Sequence, residues 1–282
     1  MKKLAALALT AALAGSLAVP ALAAEAPSDI AAATGYPAQL TLNGVEVDTA
    51  GLPAPSQNKL LPMRLLAEAD HGSAYWDEEN NEGWFYFGDY RVVIRFADNS
   101  VTVNDEAVDV DTVEVISGVT YMSADVFDGM EGYTVALNPE LDVNRIGVTT
   151  PNNDPMVKLT YEIQETCSMA FGMAADEQTL TDAYGIPAGS FEQVAAFFPM
   201  ITSPDTVIIG KLAEGADQAA VEAALETYRQ GQEDTFSWYL SQNLPKVQDA
   251  RLVVENGWLL FLIADNADAG VEAFQAFVEA QG

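Results

Sequence analysis

Basic residues are scarce in this sequence. Its 282 residues include 12 Lys and Arg but 42 Asp and Glu, which gives a formal net charge of −30 at pH 7. A field of this sign repels phosphate backbones and anionic lipid surfaces, and it attracts cations. Charged residues nevertheless make up only 19% of the chain and hydrophobic residues 49%, a composition too apolar for a disordered polyanion. The sequence therefore predicts a globular, acidic protein with no nucleic-acid partner.

Cysteine and histidine each occur once, as Cys167 and His71. A single cysteine excludes a disulfide within the chain. The motifs Gly-x-Ser-x-Gly, His-Glu-x-x-His and Cys-x-x-Cys do not occur in the sequence, and neither does a phosphate-binding loop. Because no complete catalytic set is found, we expect the protein not to be an enzyme and we assign no catalytic residues.

Long hydrophobic runs are also rare. The Leu/Ala-rich run over residues 4–19 is shorter than the roughly 20 residues that a membrane span needs. It follows two lysines and precedes small residues at positions 21 and 23, so residues 1–23 are predicted to be a secretory signal peptide. Residues 13–16 have the pattern of a lipoprotein box but with Ser in place of the lipid-accepting Cys. We expect a secreted or cell-envelope-associated, extracytoplasmic protein, with no membrane span after signal removal and no lipid anchor.

Composition divides the rest of the chain into segments. Residues 24–39 are rich in Ala, Pro and Ser, which predicts a flexible lead-in. Two prolines and several turn formers interrupt the apolar periodicity between positions 149 and 155, and we place a linker over residues 150–158. The prediction is a first domain over residues 40–149 and a second over residues 159–282.

The first domain contains an internal repeat. Residues 40–48 and 101–109 both alternate apolar and polar side chains around an Asn-Gly or Asn-Asp pair, which predicts two tight β-hairpins. In each copy a strand end and a short helix follow, at residues 61–68 and 121–128, and then a second strand pair. One such unit of about 60 residues buries little apolar surface alone. We therefore predict an α+β domain in which two hairpin-helix-hairpin units pack together.

The second domain shows helical and strand periodicity. Residues 206–212 form an apolar, β-rich run that predicts a central strand, and Asp217 begins an amphipathic helix. Asn256-Gly257 lies between two apolar runs and predicts a hairpin. A capping-box pattern at residues 190–193 predicts a helix start. These elements predict a small α+β domain with helices packed on an antiparallel sheet.

Three motifs of the first domain carry a family resemblance: Leu42-Asn43-Gly44, Leu61-Pro62-Met63-Arg64 and Tyr75-Trp76-Asp77. Over about residues 38–149 the chain resembles the copper amine oxidase N-terminal-like domain, a stalk module of secreted proteins of Gram-positive bacteria. The second copy of the repeat departs from the family at residues 122–124, where Met-Ser-Ala replaces Pro-x-Arg. The resemblance implies a stalk and no amine oxidase chemistry. That chemistry needs a Tyr-derived quinone and several His ligands, so with one His we expect neither a copper nor a quinone cofactor.

The second domain also resembles a family, over about residues 160–280. The motifs that carry this resemblance are Ala183-Tyr184-Gly185-Ile186, the strand over residues 207–212 and Val254-Glu255-Asn256-Gly257-Trp258. They are similar to a secreted domain of unknown function from Gram-positive anaerobes. That family implies no chemistry for these residues.

Aromatic side chains concentrate in the hairpin over residues 73–90. The candidate ligand-binding residues are Trp76, Trp84, Tyr86 and Tyr90. Alternate side chains of a strand face opposite ways, so one face of the hairpin must pack on the core and the other can be exposed. An exposed Trp and Tyr face stacks on sugar rings or on a partner's apolar surface, and the alternative is that both faces are covered. The expected partner is a cell-wall glycan or an envelope protein.

The turn over residues 77–83 is dense in side-chain oxygens. Asp77, Glu79 and Asn81 are candidate calcium ligands, although Gly88 stands at the twelfth place, where a calcium loop requires a bidentate Glu. Weak calcium binding is one interpretation of this turn and a solvated turn is the other. No other cofactor is predicted.

Acidic residues suggest two rival functions. His71 beside Asp70 has the residue types of a general base with its orienting carboxylate, and Asp125 and Asp128 lie one helical turn apart. Either set would make the protein an extracellular hydrolase. The net charge alone would also suit an acidic divalent-cation-binding protein. The leading prediction is a non-catalytic, secreted or cell-envelope binding or scaffolding protein of a Gram-positive bacterium.

Overall fold

The computed structural model describes residues 35–138, 145–170, 172–199 and 202–281. The predicted signal peptide over residues 1–23, and residues 24–34 of the predicted lead-in, lie outside the described residues. None of the helices in this described part of the chain combines the length and the apolar character that crossing a bilayer requires.

The end of the predicted lead-in packs against the first unit. Tyr36 donates its hydroxyl hydrogen to the Leu60 carbonyl at 2.6 Å, and its ring stacks on Tyr121 with centroids 6.2 Å apart. Ala38 is buried. Residues 35–39, the end of the predicted lead-in, therefore pack on the first unit.

In its described residues the first unit is built from short strands and one α-helix, α1 (Met63–Ala69). Its strands are β1 (Gln39–Leu42), β2 (Val45–Glu46), β3 (Leu61–Pro62), β4 (Ser73–Asp77), β5 (Glu82–Phe87), β6 (Tyr90–Arg95), β7 (Ser100–Val103), β8 (Glu106–Val108), β9 (Val113–Ile116), β10 (Val119–Met122), β11 (Thr134–Asn138) and β12 (Arg145–Thr149).

These strands form three sheets around one core. Strands β4 to β8 make an antiparallel meander in sequence order. A second sheet has the order β11-β12-β1-β2, in which β1 and β12 run parallel, and a third has the order β3-β10-β9. Side chains from all three sheets and from α1 meet in one cluster that includes Leu40, Leu66, Phe87, Met122 and Ile146. Sharing a core stabilises sheets that would each bury too little apolar surface alone.

Both predicted tight hairpins of the first unit are confirmed. Asn43 and Gly44 turn between β1 and β2 with φ of 51° and 81°, and Asn104 and Asp105 turn between β7 and β8 with φ of 49° and 69°. Two successive positive φ values define the hairpin turn that Asn, Asp and Gly tolerate. Because these residue types tolerate positive φ, the two turns can be predicted from the sequence.

The duplication of a hairpin-helix-hairpin unit is not confirmed. The two tight hairpins lie in different sheets, and an unpredicted hairpin of β9 and β10 follows the second. In the second copy the strand end is β10 and the short helix that follows it is a 3-10 turn, Ala124–Phe127. Ser123, which directly precedes this turn, donates its hydroxyl hydrogen to Asp125 at 2.5 Å and accepts no hydrogen bond from the turn's backbone.

Residues 150–158, the predicted linker, contain a 3-10 turn and the start of a helix. The Thr150 side chain caps the 3-10 turn Pro151–Asn153, and Asp154 caps α2 (Pro155–Thr166) by accepting two backbone N–H groups. A proline stands in the first turn of each, where its missing N–H is not needed. The prolines and turn formers of the predicted linker therefore mark two helix starts.

The second unit is a five-stranded antiparallel sheet with helices on both faces. Its strands are β13 (Gly172–Ala175), β14 (Phe191–Pro199), β15 (Thr206–Leu212), β16 (Arg251–Glu255) and β17 (Trp258–Ile263), in the order β13-β14-β15-β17-β16. The helices after α2 are α3 (Glu177–Tyr184), α4 (Gln218–Trp238), α5 (Leu244–Gln248) and α6 (Ala267–Gln281). The prediction of helices packed on an antiparallel sheet is confirmed, and β15 is central as expected.

Alternation along the strands divides the interior of the second unit into two layers. On one face α2 and α6 pack against residues such as Val207 and Leu262. On the other face α3, α4 and α5 pack against residues such as Ile208 and Phe261. Because adjacent residues of β15 enter different layers, the apolar run over residues 206–212 is explained by burial on both faces.

The helix predicted from the capping-box pattern at residues 190–193 is wrong. Strand β14 begins at Phe191, and the Ser190 hydroxyl donates to the Pro187 carbonyl at 2.5 Å. Phe191 packs over Gly210 of β15, where any Cβ would collide with its ring. Pairing with the neighbouring strand therefore overrides the local helix signal.

Candidate functional site

The meander presents an aromatic strip on its outer face, formed by Tyr75, Trp84 and Tyr86. In β5 the residues Phe85 and Phe87 enter the core, so alternation turns Trp84 and Tyr86 away from it. Tyr75 of β4 pairs with Trp84, and their ring centroids are 6.1 Å apart. Tyr75 is 59% exposed, while Trp84 and Tyr86 are half-buried. One face of this hairpin is therefore covered and the other faces solvent.

Charged side chains hold the Trp84 ring in place. The guanidinium of Arg91 lies 5.2 Å from the centre of the indole ring. The indole Nε1 donates to Glu82 Oε2 at 3.1 Å, and Glu82 Oε1 accepts from Arg95 at 3.1 Å. The indole donor is thus satisfied, and charges of both signs border the strip.

The other two predicted ligand-binding residues do not join this strip. Trp76 lies on the opposite face of β4, where its ring centroid is 5.3 Å from that of Phe96. Tyr90 packs against the core, 5.6 Å edge-to-face from Tyr133, and its hydroxyl accepts from the Glu131 amide at 2.8 Å. The structure therefore brings together Trp84 and Tyr86, adds Tyr75, and separates Trp76 and Tyr90 from them.

The candidate calcium ligands Asp77, Glu79 and Asn81 form a hydrogen-bonded turn. Asp77 Oδ1 accepts from the amides of Glu79 and Asn80 at 3.0 and 3.1 Å, and Oδ2 accepts from Asn80 Nδ2 at 2.8 Å. The hydrogen bond from the Asn80 side chain is the largest cause of the lowered pKa of Asp77. In the described part of the chain, no group of three or more His, Cys, Asp or Glu side chains is placed to hold a metal ion.

Asp125 and Asp128, the predicted acidic pair, do not share a face of an α-helix. Asp125 lies in the 3-10 turn and Asp128 directly follows it. Asp125 Oδ1 accepts from the Ser123 hydroxyl at 2.5 Å, and Oδ2 accepts from the Asp111 amide at 2.7 Å. Both oxygens of Asp125 are therefore used to hold the turn after β10.

A second site lies where α1 ends against the second unit, and Asp70 is at its centre. Asp70 is 2% exposed. Its Oδ1 accepts from Thr150 Oγ1 at 2.6 Å, from Asn152 Nδ2 at 3.1 Å and from Asn43 Nδ2 at 3.5 Å. Its Oδ2 is buried and has no hydrogen-bond partner. Burial raises the pKa of this carboxyl, and the hydrogen bonds from Thr150 and Asn152 oppose the rise only in part.

His71 follows Asp70 in an unusual backbone conformation. Its φ is 60°, the left-handed conformation that glycine usually supplies after a helix, and the Gly72 amide donates to the Ala67 carbonyl at 2.8 Å to close the helix end. The imidazole stacks on Tyr161 of α2, with centroids 3.6 Å apart and planes within 4°. Burial lowers the pKa of His71, while the Glu165 carboxylate acts in the opposite direction.

The His71–Tyr161 stack separates two open clefts. The first, which we name the sheet-side cleft, has a volume of about 820 Å³ and extends past Tyr86 toward β13. The second, the hairpin-side cleft, has a volume of about 720 Å³ and extends toward the β1–β2 hairpin, past Lys158. Asp70 lines both clefts. Because Tyr86 belongs to the aromatic strip, the strip ends at the mouth of the sheet-side cleft.

Polar contacts of Asn43 tie the two units together beside these clefts. Asn43 Oδ1 accepts from the Thr150 amide at 2.9 Å, and its backbone carbonyl accepts from Lys158 Nζ at 3.3 Å. The sequence shows the Asp70-His71 pair but does not reveal its partners, because Thr150 and Tyr161 are distant in the chain. The one local signal is a polar Asp-His-Gly sequence directly after an apolar helix.

Two family models match separate parts of the chain. Residues 41–143 match the model of the copper amine oxidase N-terminal domain, a non-catalytic, stalk-type domain. Residues 169–264 match a domain of unknown function, DUF4358. The curated proteins and the solved structures give no match to the chain. The protein therefore joins a region similar to the copper amine oxidase N-terminal domain to a region similar to DUF4358.

Proposed function

We propose that this chain is a non-catalytic binding protein, secreted or associated with the cell envelope of a Gram-positive bacterium, and that the aromatic strip binds cell-wall glycan. The observation that carries the proposal is the placement of Tyr75, Trp84 and Tyr86 side by side on one solvent-facing side of the meander. The predicted signal peptide over residues 1–23 supports the location.

The chemistry of the strip suits a sugar. Pyranose rings present apolar C–H surfaces that stack on Tyr and Trp, while their hydroxyl groups need hydrogen-bonding partners at the edge of the contact. Arg91 and Arg95 supply donors beside the Trp84 ring, and Glu82, whose two oxygens accept from Trp84 Nε1 and from Arg95, orients the indole. Because the net charge is −30, the protein repels anionic polymers, so the proposed ligand is a neutral or amino-sugar glycan.

The structure offers less support for the rival functions. A hydrolase built on Asp125 would need a free carboxylate, and both oxygens of Asp125 accept hydrogen bonds from the protein itself. Calcium binding by Asp77 would compete with three hydrogen bonds inside its own turn. In the strip, by contrast, the ring of Tyr75 is exposed and available to a ligand.

Co-sedimentation with purified Gram-positive cell walls tests the proposal. We expect saturable binding that Tyr75→Ala and Trp84→Ala each weaken about tenfold, because each removes a stacking surface. Trp238→Ala is the matched control, since Trp238 is 80% exposed at the end of α4, in the other unit. We expect this control to bind like the unmodified protein.

The exposed position of Tyr75 makes its variant informative, because truncating it removes little buried surface and leaves the fold intact. Unchanged binding by folded Tyr75→Ala and Trp84→Ala proteins would rule out the strip as the glycan site. Binding lost equally in Trp238→Ala would show that wall association does not depend on the strip.

A further inference from the structure

The sheet-side cleft is negatively charged. Its lining includes the carboxylates of Asp70, Asp89 and Glu165, and among the described residues that line it there is no lysine or arginine. Asp89 and Glu165 are exposed, whereas Asp70 is buried. A cleft with this charge concentrates cations at its floor.

Two buried polar atoms in the lining have unmet hydrogen-bonding capacity. Asp70 Oδ2 is an acceptor without a donor, and Gln164 Nε2 is a donor without an acceptor. A buried polar group without a partner is costly, and such groups are uncommon in folded proteins. A ligand that brings an N–H donor to Asp70 regains a charge-assisted hydrogen bond there.

Aromatic and apolar groups form the rest of the cleft walls. One face of the Tyr161 ring stacks on His71, and its ring centroid is 5.2 Å from that of Phe197. Tyr86 of the aromatic strip also lines the cleft. Met169 also lines the cleft. Aromatic rings beside carboxylates attract organic cations through their quadrupoles, and the apolar groups favour a ligand with a hydrophobic body.

We propose that the sheet-side cleft binds a small organic cation, a primary ammonium group attached to an apolar body, with Asp70 Oδ2 accepting its N–H. The ammonium replaces no existing contact, because Thr150 and Asn152 bind the other oxygen of Asp70. Asp89 and Glu165 add attraction at the rim. Tyr86 belongs both to the strip and to the cleft lining. Asp70 and Asp89 line the cleft whereas Tyr75 and Trp84 do not, so variants of these residues test the two proposals separately.

Isothermal titration calorimetry of the purified protein with benzylammonium chloride tests the inference. We expect saturable binding with Kd at or below about 1 mM, which is typical of a small ligand with one charge-assisted contact. Benzyl alcohol and phenylacetate have the same ring without the positive charge, and we expect neither to bind. Binding of benzyl alcohol as tight as that of benzylammonium, or no binding of benzylammonium, would overturn the inference.

Variants of the lining locate the site. We expect Asp70→Asn to weaken benzylammonium binding about tenfold, and Asp89→Asn to weaken it about two- to threefold, as for an exposed charge. Glu162→Gln is the matched control, because Glu162 is exposed on the same helix as Glu165 but lines only the hairpin-side cleft. We expect the control to keep its affinity. Unchanged affinity in both Asp70→Asn and Asp89→Asn would contradict the inference. Because Asp89 is exposed, its substitution leaves the fold intact, so the result for this variant does not depend on folding.

Two further measurements distinguish an organic cation from a metal ion and the cleft from the aromatic strip. Displacement of benzylammonium by calcium chloride at matched ionic strength would identify a metal site and overturn the inference. We expect Trp84→Ala to bind benzylammonium normally and Asp70→Asn to sediment normally with cell walls. The organic-cation inference and the glycan proposal can therefore fail separately.

Discussion

Two buried aspartates, one in each unit, have opposite environments. Asp205 is 3% exposed, and both of its oxygens are used: Oδ1 accepts from Lys246 Nζ at 2.6 Å and Oδ2 from the Ala170 amide at 2.7 Å. Asp70 is 2% exposed, has only neutral donors on Oδ1 and has no partner on Oδ2. A buried carboxylate that is paired with a cation becomes costly when the cation is removed, whereas one without a cation retains capacity for a ligand.

The position of each aspartate fits this difference. Asp205 directly precedes β15, and Lys246 also contacts Asp265, after β17, at 2.8 Å. The ion pairs therefore fasten α5 to one end of the sheet. Asp70 instead lies at the C-terminal end of α1, where it lines the two clefts between the units.

The largest effect is expected from Lys246→Met. Removing the ammonium leaves Asp205 buried without its counter-ion, which should lower the free energy of unfolding by about 3 to 5 kcal/mol. Urea unfolding followed by circular dichroism measures the change. Lys211→Met is a suitable control. Lys211 lies on β15 and donates to the carbonyl of Asn256, on an exposed hairpin, at 2.8 Å. We expect this variant to lower the free energy of unfolding by less than about 1 kcal/mol. Equal losses in the two variants would show that the Asp205 pair is not structurally important.

The same substitution at the two aspartates should have effects of opposite sign. Asp205→Asn weakens a charge-assisted hydrogen bond and should destabilise the protein by about 2 kcal/mol. Asp70→Asn removes a buried charge that has no cation and should stabilise the protein by up to about 1 kcal/mol at pH 7. Thermal and urea unfolding of both variants measure the difference. A destabilised Asp70→Asn protein would mean that Asp70 is a structural residue like Asp205.

A smaller effect on stability distinguishes the backbone conformation of His71 from the stacking of its ring on Tyr161. Both His71→Ala and His71→Gly remove the stack on Tyr161, but only glycine relieves the positive φ of 60°. We expect His71→Gly to be about 1 kcal/mol more stable than His71→Ala in urea unfolding. Equal stabilities would show that the left-handed conformation stores no strain.

The smallest expected effect is a dependence of stability on pH that originates at Asp70. The pKa of Asp70 is raised above its ordinary value of 3.8 by burial, so the folded state binds this proton more tightly than the unfolded state does. Its contribution to stability is complete below pH 3.8 and is lost as pH rises through the raised pKa. The stability advantage of Asp70→Asn over the unmodified protein should therefore shrink as pH falls from 7 toward 4. An advantage that grows with acidification would contradict this assignment.

Short-range features of the fold follow from the sequence. The hairpins at Asn43-Gly44, Asn104-Asp105 and Asn256-Gly257 depend on residues that tolerate positive φ, and the caps Asp176 and Asp217 each accept a nearby backbone N–H. Each of these turns and caps depends on a few neighbouring residues. A short stretch of sequence is therefore enough to predict it.

Long-range features could not be predicted in the same way. Residues 190–193 have a local helix pattern, but partners on β15 and the glycine beneath Phe191 select a strand. The Asp70 site needs Thr150 and Tyr161, which are far along the chain and are brought there by the packing of α2. The aromatic strip was predicted only in part, because residue type identifies Trp76 and Tyr90 as aromatic but alternation and turns decide which face they join.

The parallel pairing of β1 with β12 has a consequence for synthesis of the chain. Gln39 pairs with Arg145, so the earliest strand of the first unit has no lateral neighbour on that side until the last strand has left the ribosome. A nascent chain that ends before residue 145 exposes an unpaired strand edge, the kind of surface at which chains associate wrongly. Ribosome-bound chains halted before residue 145 should thus remain sensitive to protease, and chains long enough to free β12 from the exit tunnel should become resistant.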